Sequence, residues 1–279
     1  MSRRFDCADP AQREEGINHA VSAIRMGQLI VLPTDTVYGV GADAFDRNAV
    51  TDLLLAKGRG RDMPPPVLVG SVRAGEALID DLGHYGRDLI AEFWPGALTL
   101  VCRATPTLNW DLGETKGTVA VRMPLHPVAL EILRETGPLA VSSANMSGNP
   151  AATTADDAQK QLGSAIEVYL DGGPTEGPMA STIIDLTGDV PRLLRAGVIP
   201  VDKIREITGV IEDPPEPDPE PEPEPPADEA AVEAEAQAET AGDETEAAAA
   251  EPAAAEPAAA EPAGTGAAGE AGQPAAQEQ

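Results

Sequence analysis

Leu29-Ile30-Val31-Leu32-Pro33-Thr34-Asp35-Thr36-Val37-Tyr38-Gly39-Val40-Gly41-Ala42 is the stretch on which the fold turns. Leu29 to Leu32 reads as a buried strand, and Pro33 stops it. Three short polar side chains, Thr34, Asp35 and Thr36, then stand at the strand's mouth. Val37 to Ala42 resumes an extended pattern, with Gly39 and Gly41 allowing another backbone to come close. An ordinary strand–turn–strand accounts for these residues taken alone. Open α/β sheets, however, collect ligands in the polar loops beyond their strand ends. What the rest of the chain brings to this loop decides between the two readings.

On the N-terminal side, Asp9-Pro10 has the form of an N-cap followed by a first-turn proline. Ile17, Ala20, Val21 and Ile24 recur at helical spacing before Gly27. On the C-terminal side, Asp46 can cap a second helix whose Val50, Leu53, Leu54 and Leu55 pack inward. Strands are expected at 67–69, 97–103, 118–124, 139–142, 167–170, 181–186 and 192–195. Helices are expected at 75–82, 87–93, 127–135, 154–162 and 201–207. Several neighbouring strands lack a crossover helix, so the fold class is α/β with a mixed rather than purely parallel sheet.

Composition divides the 279 residues sharply. No Lys or Arg follows Arg205, and 20 of the 47 Asp and Glu fall from Glu212 onward. The remainder holds 27 acidic and 19 basic residues, a balance of −8 within the total of −28. The Glu-Pro alternation from Glu216 to Pro225 and the Glu-Pro-Ala-Ala-Ala repeats that follow carry too few large apolar side chains to repay the entropy of ordering. The expected organisation is one domain over residues 1–211 and a disordered acidic tail over 212–279. Cys7 and Cys102 match no metal or redox spacing. The N-terminus lacks an apolar signal segment and no stretch is long enough to span a bilayer, so a cytoplasmic protein with no membrane partner is expected.

Three groups of residues could carry chemistry. Lys57, Arg59 and Arg61 sit among glycines just after the second helix. They are either a solvated helix end, where cations are favoured, or a polyphosphate clamp. Arg122 ends an apolar strand, a costly place for a charge without a partner. It is either one half of a surface salt bridge or a carboxylate receptor facing the same cleft as Thr36. Ser142, Ser143 and Asn145 put hydroxyl and amide groups at a neighbouring strand end. Ser181-Thr182 opens another strand, and Arg195 ends the next. No P-loop and no Gly-x-Gly-x-x-Gly after a strand is present. His19, His84 and His126 fall in or beside predicted helices as surface or capping residues, and neither cysteine has a setting that favours a thiolate. Catalysis here would work by positioning and charge stabilisation.

Six blocks occur in a fixed order: Pro33-Thr34-Asp35-Thr36-Val37-Tyr38-Gly39, Lys57-Gly58-Arg59, Trp94-Pro95-Gly96-Ala97-Leu98-Thr99, Val119-Ala120-Val121-Arg122-Met123-Pro124, Ser143-Ala144-Asn145-Met146-Ser147-Gly148 and Ser181-Thr182-Ile183-Ile184-Asp185. Together they resemble the YrdC-type L-threonylcarbamoyladenylate synthases over roughly residues 10 to 208. The resemblance implies a twisted mixed sheet with helices on its faces and a positively charged cleft. It implies that L-threonine, bicarbonate and ATP give threonylcarbamoyl-AMP and pyrophosphate, with Mg2+ on the phosphates and no protein metal site. A downstream transferase complex then serves tRNA, which this chain meets only indirectly. By the same resemblance, Thr36 and Arg122 hold threonine, with Ser181 or Thr182 closing that pocket. Lys57, Arg59, Thr118, Ser143, Asn145 and Arg195 bind ATP, with Lys57 and Arg59 nearest the chemistry. The chain departs from the family pattern at Met63 and Gly70, where many members carry polar contacts. A double-stranded RNA-binding module and a nucleotide-binding paralogue without synthase activity are the alternatives, and the net acidity argues against the first.

Overall fold

The computed structural model describes residues 2–213. In chain order it runs β1 (Arg3–Asp6), α1 (Pro10–Arg25), β2 (Ile30–Leu32), β3 (Gly39–Asp43), α2 (Arg47–Ala56), β4 (Val67–Leu68), α3 (Val72–Glu76), α4 (Gly83–Phe93), β5 (Leu98–Arg103), β6 (Thr118–Arg122), α5 (Pro127–Thr136), β7 (Leu139–Ser143), α6 (Ala155–Leu162), β8 (Val168–Asp171), β9 (Thr182–Asp185), β10 (Arg192–Arg195) and α7 (Val201–Thr208). Among these residues no helix is long and apolar enough to cross a membrane. The expected disorder of the acidic tail concerns residues that, from 214 onward, lie outside those described.

All ten strands join one sheet in the order β1-β8-β2-β3-β7-β4-β6-β5-β9-β10. It is mixed, as expected from the missing crossovers: β2 and β8 run parallel while β2 and β3, β3 and β7, and β5 and β6 run antiparallel. Local signals set the helix starts. Asp9 Oδ1 accepts from the Ala11 and Gln12 amides, and Asp46 Oδ1 accepts from Asn48 and Ala49. Thr154 caps α6 through the Asp157 amide. Each satisfies a backbone donor that a first helical turn leaves open.

Side chains alternate across the sheet, and helices cover its two faces unequally. On one face, Ile30, Leu32, Leu68, Val141 and Leu170 pack under α1 and α5. On the other, Val31, Val40, Ala42 and Tyr169 meet α2 and α6, while Val67, Val121, Leu100 and Ile184 meet α4 and α7. The first face is only half covered. Toward β5, β6 and β9 it stays open, and that open half holds the cleft described below. β3 lies tight against β7 here: a Cβ on Gly39 would sit 2.6 Å from Val141 Cγ1.

The structure corrects several expectations. Leu55 is 70% exposed, because three consecutive helical positions span about 200° and cannot all face one core. The helix expected at 75–82 runs Val72–Glu76, started by the Ser71 hydroxyl accepting from Ala74 N–H. β1 was not foreseen, since its exposed charges hide an edge strand whose one buried residue is Phe5. Glu212, assigned to the tail, pairs in the sheet with Arg192 through backbone and side chain. The ordered chain therefore continues past the expected boundary.

Candidate active site

The loop between β2 and β3 holds itself together by local hydrogen bonds. Thr34 Oγ1 donates to Val37 O at 2.6 Å and accepts from the Thr36 amide at 3.2 Å. Tyr38, fully buried, donates from its hydroxyl to Gly173 O at 2.5 Å and accepts from Gly172 N–H at 3.0 Å. Thr34, Asp35 and Thr36 are thus fixed at the sheet's open end.

Arg122 reaches this loop from the end of β6 and is only 6% exposed. Its Nη2 donates to Asp35 Oδ1 at 2.6 Å, its Nη1 to Thr36 Oγ1 at 2.9 Å, and its Nε to Gly96 O at 2.9 Å. Burial pulls its pKa down and the neighbouring Arg195 adds to that, while Asp35 opposes both. A guanidinium stays protonated regardless and has five N–H donors. Three are engaged, so one on each Nη remains for a ligand. The surface salt bridge is excluded by this burial.

Arg195 enters from the opposite wall. β10 shifts register between Leu193 and Arg195, and such a bulge re-aims a side chain. Arg195 donates from Nε to Ser181 O and from Nη2 to Ser181 Oγ, both at 3.0 Å. Ser181 Oγ in turn lies 2.8 Å from Thr99 Oγ1. Arg59 crosses from the end of α2 toward Ser142 Oγ, at 3.4 Å. These residues surround a cleft of about 350 Å³ whose charged lining is Arg59, Arg122 and Arg195, with no Asp or Glu. In a chain of net charge −28, three arginines around one acid-free cleft make it an anion site.

Of the residues expected from sequence, Thr36, Arg59, Arg122, Ser143, Ser181 and Arg195 line this one cleft. Four do not. Lys57 is 0% exposed, and its ammonium donates to the carbonyls of Ser143 at 2.5 Å and Asn145 at 2.7 Å. Burial, with Arg59 nearby, lowers its pKa to about 8. Lys57 therefore braces the wall rather than forming it. Asn145 lies beside it, its Nδ2 donating to Met146 O and Asn149 O while its buried Oδ1 has no partner. Thr118 shares a face of β6 with Ala120 and Arg122 but sits beyond the cleft, its hydroxyl on Thr115 O. Thr182 turns inward and bonds Ile199 O, so Ser181 is the member of that pair on the cleft. Arg61 is drawn away by Asp111 at 2.5 Å, so the three cations of that loop do not converge.

Sequence reasoning missed Thr99 and the role of His126. A hydroxyl two residues from Val101 in an apolar strand was the available signal for Thr99, since both then share the cleft face. His126 stands at the N-cap position of α5, as the capping expectation has it, though its ring makes no cap hydrogen bond; it also lines a second cavity with Asp35, its buried Nδ1 has no partner, and burial lowers its pKa. Met63 is exposed at the loop, and a Cβ on Gly70 would meet Leu133 C of α5 at 2.9 Å. That packing demands glycine.

The profile of the Sua5/YciO/YrdC family, described as telomere recombination, matches residues 22–197. The chain belongs to the Sua5/YciO/YrdC family. A relative in Mycobacterium tuberculosis, provisionally named for threonylcarbamoyl-AMP synthesis, is 59% identical over 210 residues, 75% of this chain and 97% of its own length. A Pyrococcus abyssi relative named threonylcarbamoyl-AMP synthase is 40% identical over 196 residues, covering 70% of this chain and 58% of the relative. The crystal structure of P. abyssi Sua5 complexed with L-threonine aligns at a TM-score of 0.71 with 36% identity, over 76% of this chain and 62% of that one. The chain thus spans less than two thirds of that family member, and nearly all of the mycobacterial one.

Proposed function

We propose that the chain is an L-threonylcarbamoyl-AMP synthase, joining L-threonine, bicarbonate or CO2 and ATP with release of pyrophosphate. The observation that carries this reading is the acid-free cleft with Arg122 buried at one end and Arg59 and Arg195 on its walls. The names of its family relatives support it. The two free N–H groups of Arg122 match a carboxylate in a bidentate pair, and Thr36 and Asp35 hold the fork still. Arg59 and Arg195 take the phosphates, with Ser142, Ser143 and Ser181 supplying hydroxyls. Lys57 contributes from behind by fixing the backbone of Ser143 and Asn145.

The chemistry asks little covalent work of the protein. The neutral amine of threonine takes up CO2 to give a carbamate and a proton that leaves to solvent, or takes up bicarbonate to give the carbamate and water. A carbamate oxygen then attacks the α-phosphorus in line, and the bond from that phosphorus to the α,β-bridging oxygen breaks, its electron pair leaving on pyrophosphate. The nucleophile carries its own charge, so the arginines need to orient it and neutralise the developing phosphate charge. Among the described residues no three His, Cys, Asp or Glu side chains gather into a metal-holding group. No carboxylate lines the cleft, so these residues do not fit a resident Mg2+; the ion enters as part of the MgATP substrate. The threonylcarbamoyl product would pass to a separate transferase acting on tRNA.

Pyrophosphate release measured with threonine, serine, valine and no amino acid tests the reading. Release must require both threonine and bicarbonate. Release that is indifferent to threonine assigns the cleft to a nucleotide-binding paralogue instead.

A further inference from the structure

Arg59 is the least supported of the three cleft arginines. Arg122 and Arg195 are each tied down by two or more bonds of 3.0 Å or less. The Arg59 side chain, among the described residues, has only the 3.4 Å contact of Nη1 with Ser142 Oγ, and its buried Nε has no partner. It also stands between Gly58, whose φ is +61°, and Gly60, so its chain neighbours restrain it little. Its place on the cleft wall therefore has to be fixed by whatever holds the loop beyond it.

That hold comes from residues 110–114, in the loop joining β5 to β6. Leu112, 2% exposed, roots this segment in the core, and Trp110 stacks on Phe45 ahead of α2 with ring centroids 5.5 Å apart. From this base the Glu114 amide donates to Arg61 O at 2.8 Å. A Cβ on Gly113 would lie 2.6 Å from that same oxygen, so the two backbones are in close contact. Asp111 closes the clip with both carboxylate oxygens. Oδ1 accepts from Arg61 Nη2 at 2.5 Å and from Gly113 N–H at 3.2 Å, and Oδ2 pairs with Arg47 Nε at 3.1 Å. Arg47 opens α2 and Arg61 follows its end, so one carboxylate ties both ends of the segment that delivers Arg59. An isolated exposed ion pair would contribute little, but this carboxylate is 18% exposed and joins two cations and an amide in one network.

We infer that Asp111 is a positioning residue for the phosphate site: through Arg61 it holds the loop that aims Arg59 into the cleft. Asp111 does not itself line the cleft. The inference rests on the synthase reading above and deepens it. Drawing Arg61 away from the cleft is what keeps Arg59 in it.

Calorimetric titration of the full chain with MgATP and, separately, with L-threonine tests this in a double-mutant cycle. Arg59→Ala should weaken MgATP about tenfold, the loss of one charge-assisted hydrogen bond. Asp111→Ala should weaken it about fivefold, a coupling usual for residues that share one network, with L-threonine changed by less than about twofold. In the Arg59→Ala background, Asp111→Ala should weaken MgATP by less than about twofold more, because the residue through which it acts is gone. Losses that simply multiply would overturn the inference and leave the synthase reading intact, and so would an equal weakening of L-threonine. Tighter MgATP binding by Asp111→Ala would mean that Asp111 withholds Arg61 from the phosphates, and would also overturn it. An Arg59→Ala variant with unchanged MgATP affinity would remove its premise and overturn it as well. A wild type that binds no MgATP would overturn both readings together. Should Asp111→Ala fail to fold, Arg61→Ala breaks the same tie from its other side and is read in the same cycle with Arg59→Ala.

Discussion

Replacing Arg122 by Ala removes a side chain on which stability and the proposed threonine site both depend, and the two losses can be measured separately. The truncation deletes three donors to Gly96 O, Thr36 Oγ1 and Asp35 Oδ1. It leaves the largely buried Asp35 carboxylate with one backbone N–H. Breaking a buried pair from one side costs about 3–5 kcal/mol. At roughly 2–4 °C per kcal/mol for a domain of this size, the midpoint of thermal unfolding should fall by about 10 °C. Loss of two charge-assisted hydrogen bonds to the substrate carboxylate removes about 3–6 kcal/mol of binding, or roughly 10²–10⁴ in kcat/KM for threonine. Pyrophosphate release at saturating ATP and bicarbonate, run as a threonine titration at a temperature where the variant stays folded, reads that second loss. The KM for ATP should move by less than about threefold. Should ATP rather than threonine lose affinity, Arg122 belongs to the phosphates and the threonine assignment is wrong. Full activity would refute the site altogether.

Three further predictions follow from the same geometry. Ser181→Ala, which removes the hydroxyl joining Arg195 to Thr99, should lower kcat/KM about tenfold with little change in melting temperature. Thr182→Val should instead lose about 1 kcal/mol of stability from the Ile199 bonds and leave kcat/KM nearly intact; the reverse pattern would exchange their roles. Lys57 has its pKa lowered to about 8 by burial, so between about pH 8 and the ordinary lysine value of about 10.4 the unfolded chain binds the extra proton. Stability contributed by this residue therefore rises with pH across that window. Urea unfolding of wild type minus Lys57→Met should show that rise, and a flat difference would count against the buried ammonium. Ending the chain after Asp213 should leave pyrophosphate release unchanged, whereas ending it after Ile211 should cost a few degrees of melting temperature by removing the Glu212–Arg192 pairing. A large loss of activity in the chain that ends after Asp213 would assign catalysis a need for the acidic tail.

Local sequence determined the elements whose cause is local. Caps at Asp9, Asp46 and Thr154 and the stop at Pro33 act over a few residues, so they were legible without a fold. The lack of crossover helices announced a mixed sheet for the same reason. The ordered motif blocks marked the neighbourhood of the site, and six of the ten expected side chains line the cleft. The remaining four depended on direction, which the sequence does not carry. Ser181 and Thr182 are adjacent, and only the pairing of β9 with β5 decides which one faces Thr99. Lys57 and Arg59 lie two residues apart on one loop, yet packing of α2 against β3 buries the first on the Ser143 carbonyl and brings the second to the cleft wall. Asp35 comes from the β2–β3 loop while Arg122 and His126 lie four residues apart at the end of β6, and their junction exists only once β6 and that loop share one end of the sheet. Short-range hydrogen bonding and periodicity are written in neighbouring residues; the meeting of distant charges is decided by tertiary packing.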